Sequence, residues 1–450
     1  MRRNNASVVR FGIVVVTFFT CQTTYSVRAE DPIVFSRDVA GILQDNCVAC
    51  HGPKKAEGGY RVDTFSDLMT PGDSAAEPIV ANKLDESELY RRITTMDTAE
   101  RMPADTEPLD TQEIERIKQW IESGGVFDGT DPKQSLAFVR PPKTYPAAPG
   151  SYAQSIPITA VAFSRDGTKL YTGGYHELLV WDIQLQQLTD RIGNLGERIF
   201  AIALSDDGKS IAVGCGEAGR NGEVRLIDLA TKSVTSVVAR ASDVVLDVAF
   251  RPSAGNTLAA ASADGIIRVV NVRDHSQDRT IASHADAVNA VAWSDDGKRL
   301  LSASRDKSAK VFDAETGDLL TSYQEHGTAV RGVAFLADGK HAISVGADAK
   351  LRQWEVESGK KTAEIALPGE AFRIDRVTDT AWIPTTAHKI IRVDLTNNKE
   401  AATLEGHHDW VLCVAYHREQ SLVASGSFDG EVCIWNAADG KLLAHWKAVP

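Results

Sequence analysis

The residues Cys47-Val48-Ala49-Cys50-His51 are the part of the sequence best equipped for chemistry. Two thiols three positions apart, followed at once by an imidazole, form the attachment pattern of a c-type haem. The spacing has a chemical reason. The thiols add to the two vinyl groups of one porphyrin, and the next residue then lies under the iron, where His51 serves as proximal ligand. A bare Cys-x-x-Cys is also half a zinc site or a redox dithiol. Zinc needs a second ligand pair, and Cys215, Cys413 and Cys433 stand isolated along the chain. A redox dithiol needs a strand-helix-strand setting, which the flanking sequence lacks. The pattern assigns one covalent haem c, held by Cys47 and Cys50, with electron transfer as its chemistry.

The sixth ligand of such an iron is open to choice. The methionines are Met1, Met69, Met96 and Met102. Met102, in Arg101-Met102-Pro103, is placed to cross the haem face from a late loop, and a Met/His pair raises the reduction potential. Met96 is the second choice. Met102 could instead fill core space, and an open sixth position would make a gas or peroxide site.

The elements that must position these residues are helical. Val39, Ile42 and Leu43 recur at helical spacing after Ser36, an expected N-cap, and this helix runs into the haem motif. Asp110-Thr111-Gln112-Glu113 reads as a capping box. Ile114, Ile117, Trp120 and Ile121 then form one apolar stripe, and Gly124-Gly125 supplies the stop. This second helix is expected to pack across the first, with Trp120 in the core.

With these pieces in place, residues 33–128 resemble the planctomycete-type cytochrome c domain. The resemblance rests on Phe35 to Asp38, Ile42-Leu43, the Cys47 to His51 motif, Gly58 to Asp63, Ser87 to Ile93, Arg101-Met102-Pro103 and Trp120-Ile121. It implies His51 and Met102 as the axial ligands. One departure is Gly41, where that family usually carries proline; it weakens the helix locally and touches no ligand.

The N-terminus sets the compartment. Arg2, Arg3 and Arg10 precede an apolar run from Phe11 to Phe19, and Val27-Arg28-Ala29 offers a small-residue cleavage site. Residues 1–29 therefore read as a secretory signal, and the product as periplasmic or held in the cell envelope. The alternatives are a retained anchor and a lipoprotein on Cys21, whose preceding Phe18-Phe19-Thr20 fits that role poorly. No later segment is apolar enough to cross a membrane.

The formal charge of the 450 residues is −12. Residues 30–130 hold 21 acids against 10 bases, a net of −11, so the acidity concentrates on the cytochrome-like part. That argues against nucleic acid and favours a basic or polar redox partner, although simple solubility would also explain it. Residues 131–154, with Pro132, Pro141, Pro142, Pro146 and Pro149, read as an extended, semi-rigid linker.

Residues 155–450 repeat. Val-Ala-aromatic recurs at Val161-Ala162-Phe163, Val248-Ala249-Phe250, Val291-Ala292-Trp293, Val333-Ala334-Phe335 and Val414-Ala415-Tyr416. Asp-Gly turns follow at Asp166, Asp207, Asp296 and Asp338, and each unit ends in a pair such as Trp181-Asp182 or Trp435-Asn436. The period, about 40–45 residues, is that of WD repeats. The repeats resemble that family and imply seven blades. The resemblance also implies a structural network of His326, Asp348 and Trp354, another of His407, Asp429 and Trp435, and a third of His284 and Asp306 with Phe312 in place of Trp. The unit at about 371–399 is degenerate. In WD repeats the last strand of each unit belongs to the next blade, so Leu442 to Val449 is expected to complete the first blade.

The expected fold is a small all-α c-type cytochrome domain over 30–130, the linker, and an all-β seven-bladed propeller over 155–450. The expected function is that of an exported monohaem electron carrier whose propeller docks a protein partner, rather than a catalyst. Thr316-Gly317-Asp318 and Asp439-Gly440-Lys441 only echo the docking phrase of quinoprotein blades, and no nucleophile motif or phosphate loop is found. Two alternatives stand beside it: a redox-enzyme subunit with chemistry in the propeller channel, and a haem-based redox or gas sensor.

Overall fold

A computed structural model describes residues 32–450, apart from 54, 105, 130, 253–255 and 274–276. The signal expected over 1–29 lies outside the described residues. Among the described residues, no helix is long and apolar enough to cross a membrane.

The N-terminal part is helical: α1 (Ala40–Asn46), α2 (Phe65–Leu68), α3 (Glu88–Thr94), α4 (Thr111–Glu122) and α5 (Leu136–Val139). A wide turn over Phe35–Val39 leads into α1. Ser36 is not its cap. The Ser36 hydroxyl donates to Asp128 Oδ2 at 2.6 Å, which ties the start of the helical segment to the chain after α4. No side chain caps the segment; the Asp38 carboxylate accepts the Val34 N–H at 2.9 Å.

Helix α4 begins as its sequence dictates. Asp110 accepts the N–H groups of Gln112 and Glu113, and Glu113 accepts that of Asp110, so the orphan donors of the first turn are paired in both directions. The helix ends where Gly125, at φ 62°, donates to the Trp120 carbonyl at 2.9 Å. Its buried face, Ile117, Trp120 and Ile121, packs on Phe35, Leu43 and Leu68. The Phe35 ring lies 5.2 Å from Trp120 and meets Phe65 edge-on at 5.0 Å. Leu136 of α5 is fully buried in this same core.

The segment after α5 is extended but not loose. Its prolines remove N–H donors and leave carbonyls that need partners. Arginines of the β region supply them. Arg240 donates to the carbonyls of Phe138 and Arg140, Arg225 to that of Lys143, and Arg191 to those of Pro149 and Gly150. Tyr145 is buried beneath the Arg225 guanidinium, 4.6 Å from its ring centre, with its hydroxyl 3.1 Å from Asn221 Oδ1. The segment is a strap laid on the first two blades.

The rest is a seven-bladed β-propeller. Its four-stranded antiparallel sheets occupy residues 161–192, 198–241, 245–281, 288–323, 330–366, 375–405 and 411–447. The Asp-Gly turns act as expected. At Gly167, φ is 70°, and Asp166 accepts the Thr168 N–H and the Ser164 hydroxyl. The degenerate sixth unit is a full blade, with Thr378 at φ 52° turning between Asp375–Val377 and Thr380–Pro384.

The expected closure is overturned. Strand Gln187–Ile192, which follows Trp181-Asp182, pairs within blade 1, so that blade has no vacancy to fill. Leu442–Lys447 pairs with Glu431–Asn436 of its own blade 7, with Leu442 opposite Trp435. The ring closes by packing instead. Ile158, just before blade 1, donates its N–H to the Ser427 carbonyl at 3.0 Å. Ile158 and Phe163 share a core with Cys413, Ala424 and Ile434, and the rings of Trp181 and Trp446 lie 5.8 Å apart.

This seam is sensitive to volume. A Cβ on Gly426 would lie 2.4 Å from Ile158 Cγ2 and 2.9 Å from Cys413 Sγ. Gly426→Val is therefore expected to destabilise the propeller by about 1–3 kcal/mol, the usual cost of overpacking. Thermal unfolding followed by circular dichroism checks this. A transition matching the parent's would mean that the ring is not closed at this seam.

Candidate functional site

The end of α1 carries the motif. The N–H of Cys47 bonds the Leu43 carbonyl at 2.9 Å, and that of His51 bonds the Cys47 carbonyl at 2.9 Å, so the helical path continues as a turn through the two thiols. Cys47 and His51 line a cavity of about 260 Å³ with Tyr60, Val62, Leu89, Ile93 and Met102 among its walls. Cys50 is exposed beside it. Burial pushes the Cys47 thiol up to about 12, with Glu113 adding to the effect, so it is a neutral thiol rather than a thiolate nucleophile.

The His51 ring is fixed by its surroundings. Nδ1 lies 3.2 Å from the Tyr60 carbonyl. A carbonyl only accepts, so Nδ1 carries the proton and Nε2 keeps its lone pair. Tyr60 is itself held, its hydroxyl donating to the Leu68 carbonyl at 2.9 Å and its ring meeting the imidazole edge-on. The His51 carbonyl accepts the Val62 N–H at 2.8 Å, which folds residues 56–62 back over the motif. That fold needs small residues. A Cβ on Gly59 would lie 2.4 Å from Asp73 Oδ1, and one on Gly72 2.5 Å from the Gly58 carbonyl.

Met102 reaches the cavity because its N–H bonds the Arg92 carbonyl at 2.9 Å, joining its loop to α3. Met96 is 92% exposed and takes no part in the cavity wall. Arg92 and Glu88 form the polar edge. Hydrogen bonds from Arg91, and then Arg92, hold the Glu88 carboxyl down at about 2. Packing does not require glycine at position 41, since a Cβ there would meet nothing within 4 Å.

In the propeller, two of the three expected networks form as such. His284 bonds Asp306 at 2.8 Å and Ser302 at 2.7 Å, and His326 bonds Asp348 at 3.0 Å and Ser344 at 2.8 Å. Trp354 donates to Ser344, closing the second. The third differs. His407 and Trp435 meet at the Ser425 hydroxyl, but Asp429 turns to Ser427 and Lys447. His407 Nδ1 instead faces Cys433 and Glu431.

The channel at the centre of the ring has a volume of about 530 Å³ and is walled by the Val-Ala-aromatic strands. Its polar groups are largely paired: Arg373 with Asp247 at 2.9 Å, and Arg376 with Asp295 at 2.5 Å. Burial raises the Asp375 carboxyl from 3.8 to about 6, against the pull of the Tyr416 N–H and of Arg376.

Comparison with known proteins accords with this geometry. The profile of planctomycete cytochrome C matches residues 47–105, the span that contains Cys47, Cys50, His51 and Met102. The WD domain, G-beta repeat, matches residues 149–182, 276–313, 317–355 and 398–436. The chain joins a planctomycete-type cytochrome c domain to a WD-repeat propeller. Curated relatives match within the repeats. The WD repeat-containing protein SL1-17 of Schistosoma mansoni is 30% identical over 144 residues, 32% of this chain and 46% of that protein. The Poly(A)+ RNA export protein of Schizosaccharomyces pombe is 43% identical over 77 residues, 17% of this chain and 22% of that protein. An uncharacterized WD repeat-containing protein of Synechocystis is 32% identical over 123 residues, 27% and 34% respectively. The chain spans less than half the length of each of these relatives.

Asp375 gives the propeller a distinctive pH dependence. A carboxyl raised in the folded state favours folding when protonated. Its contribution is fully present below pH 3.8 and is lost as the pH rises through about 6. Asp375→Asn should therefore stabilise the propeller relative to the parent more at pH 7 than at pH 4, by up to ~3 kcal/mol at about 1.4 kcal/mol per pKa unit. Denaturant unfolding at the two pH values measures the difference; an equal effect at both would show that Asp375 does not titrate in this window.

Proposed function

We propose that the cytochrome domain holds one haem c and acts as an exported electron carrier, with the WD propeller as its docking platform. The observation that carries this reading is the convergence of Cys47, His51 and Met102 on one largely apolar cavity, with the proximal imidazole already oriented. Bound there, haem would supply a one-electron couple. Cys47 and Cys50 would hold it through thioethers. His51 Nε2, freed by the bond from Nδ1 to Tyr60, would be the proximal ligand, as ring-oriented histidines are in other metal sites. Met102 would be the distal ligand, its thioether favouring the reduced state. Val62, Leu89 and Ile93 would keep water away. Arg92 offers a cation at the cavity edge.

Export rests on the signal-like residues 1–29 and agrees with the covalent attachment chemistry. The net charge of −11 over residues 30–130 would steer a basic redox partner toward the cytochrome domain. The propeller's loops would hold a protein partner near the haem.

Attachment is tested by replacing both Cys47 and Cys50 with Ala. Covalent haem should be lost while the propeller still unfolds at its parent temperature, because the two parts have separate cores. Haem that survives acid-acetone extraction in this variant would overturn the assignment.

Ligation is tested by Met102→Ala. Haem should stay attached, the potential should fall by on the order of 100 mV within the ~0.8 V range that axial ligation spans, and the reduced iron should bind carbon monoxide. Met96→Ala should change none of these. If it does so and Met102→Ala does not, the distal ligand is misassigned.

A further inference from the structure

Three blades share one framework, and one of them has changed its chemistry. In blades 4, 5 and 7 a histidine bonds a serine hydroxyl, Ser302, Ser344 or Ser425. The residue paired with that serine on the next strand is Lys310 in blade 4 and Arg352 in blade 5. Arg352 there bonds both Asp348, which is half-buried, and the more exposed Glu364, so the cation at this position pairs with acid. In blade 7 the same position is Cys433. The cation is gone, a thiol stands in its place, and a buried carboxylate, Glu431, has been added two residues away on the same face of the strand.

These groups converge. His407 Nδ1 lies 3.7 Å from Cys433 Sγ and 3.7 Å from Glu431 Oε2, and the three donor atoms all lie within 4.8 Å of one another. Zinc bonds of about 2.3 Å to sulfur and about 2.0–2.2 Å to nitrogen or oxygen put ligand atoms roughly 3.5 Å apart across a tetrahedron. The spacing matches with small movements. The ion pairs that the structure gives Glu431 are to histidines: His407, His408 at 3.5 Å and His445 at 3.1 Å. Lys447, its cross-strand neighbour, bonds Asp429 instead. A buried carboxylate normally has a strong cationic partner or a metal. His445 stands directly opposite Cys433 on the outer strand; its side chain is 62% exposed with Nδ1 3.1 Å from Glu431 Oε1, so it would have to turn inward to reach the fourth corner.

We propose that blade 7 holds a zinc ion on His407, Cys433 and Glu431, with His445 as the fourth ligand. His407 is held for this role by Ser425, which occupies Nε2 and turns Nδ1 inward. Binding would release the Cys433 thiol proton. The ion would link the loop before blade 7 to its third and fourth strands.

Elemental analysis and zinc-edge X-ray absorption of the full-length holoprotein, dialysed against micromolar zinc, test this. The expected result is one zinc per chain with a single sulfur neighbour at about 2.3 Å, and a thermal transition of the propeller that rises with zinc. Cys433→Ala should cut bound zinc at least tenfold and abolish that rise, with the haem spectrum unchanged. Cys433→Ser serves if the alanine variant folds poorly. Glu431→Gln should weaken zinc binding at least tenfold. Parent protein without zinc, or a Cys433 variant that keeps one zinc, would overturn the proposal. Zinc retained in a Cys433 variant but lost on replacing Cys47 and Cys50 would place the metal at the haem motif and count against both readings.

Discussion

The strap between the two parts decides how the molecule can work. A proline-rich segment cannot pair its carbonyls with its own N–H groups, so it must find donors elsewhere. The propeller provides Arg191, Arg225 and Arg240, two of them buried. A buried guanidinium is costly unless fully paired. Arg225 is 1% exposed and its side chain pairs with Glu223, equally buried, as well as with the strap. Strap and arginines therefore satisfy each other, and neither would be stable where it is without the other. Arg140, at the start of the strap, also reaches Asp45 of α1 at 3.3 Å. The chain of contacts runs without a gap from the helix that carries the Cys47 to His51 motif to the first two blades.

This has a functional consequence. On the proposed electron-carrier reading, a fixed approach of the partner would be a gain, because electron transfer falls steeply with distance. A flexible tether would present the cavity in many orientations. Here a partner seated on the propeller would meet the cytochrome domain at one angle. Within that domain the same economy recurs. The bond from His51 to Tyr60 orients the imidazole, and the Tyr60 hydroxyl is anchored on α2. Gly58, Gly59 and Gly72 then let two loops close on each other at the rim.

What could be read from the sequence was what is local. The capping box at Asp110, the apolar stripe of α4 and the Asp-Gly turns depend on residues a few positions apart, and they formed as expected. The Cys47 to His51 motif is equally local, and Met102, far downstream, lines one cavity with Cys47 and His51. Several of the misses were matters of long-range pairing. Ser36 looks like a cap until Asp128, far along the chain, takes its hydroxyl. The ring closure was misjudged because the strand after each Trp-Asp pair was assigned to the next blade, whereas Gln187–Ile192 turns straight back on Leu178–Asp182, with Gln187 opposite Asp182. The linker's composition told its shape but not its attachment, since the signal lay in arginines remote in sequence. Cys433 looked isolated because His407 comes to it from a loop and His445 from the neighbouring strand.

The blades show why that last kind of site is hard to see and physically easy to make. Serine and tryptophan do the structural part of the framework: in blade 7, Trp435 and His407 still meet at Ser425 although Asp429 has left the network. The acid and the residue opposite the serine are then free to vary, provided that buried charge stays balanced. In blade 4 the acid has no lysine or arginine partner among the described residues and is held by hydrogen bonds, Asp306 accepting from His284 and Ser308. Blade 5 pairs its acid with Arg352. Blade 7 has removed the cation and added Glu431, which would leave the sheet worse off unless a positive charge returns. The ion pairs described for Glu431 are to His407, His408 and His445, with no lysine or arginine among them. A divalent cation restores the balance at neutral pH, and it does so with the ligand types that the exchange itself introduced.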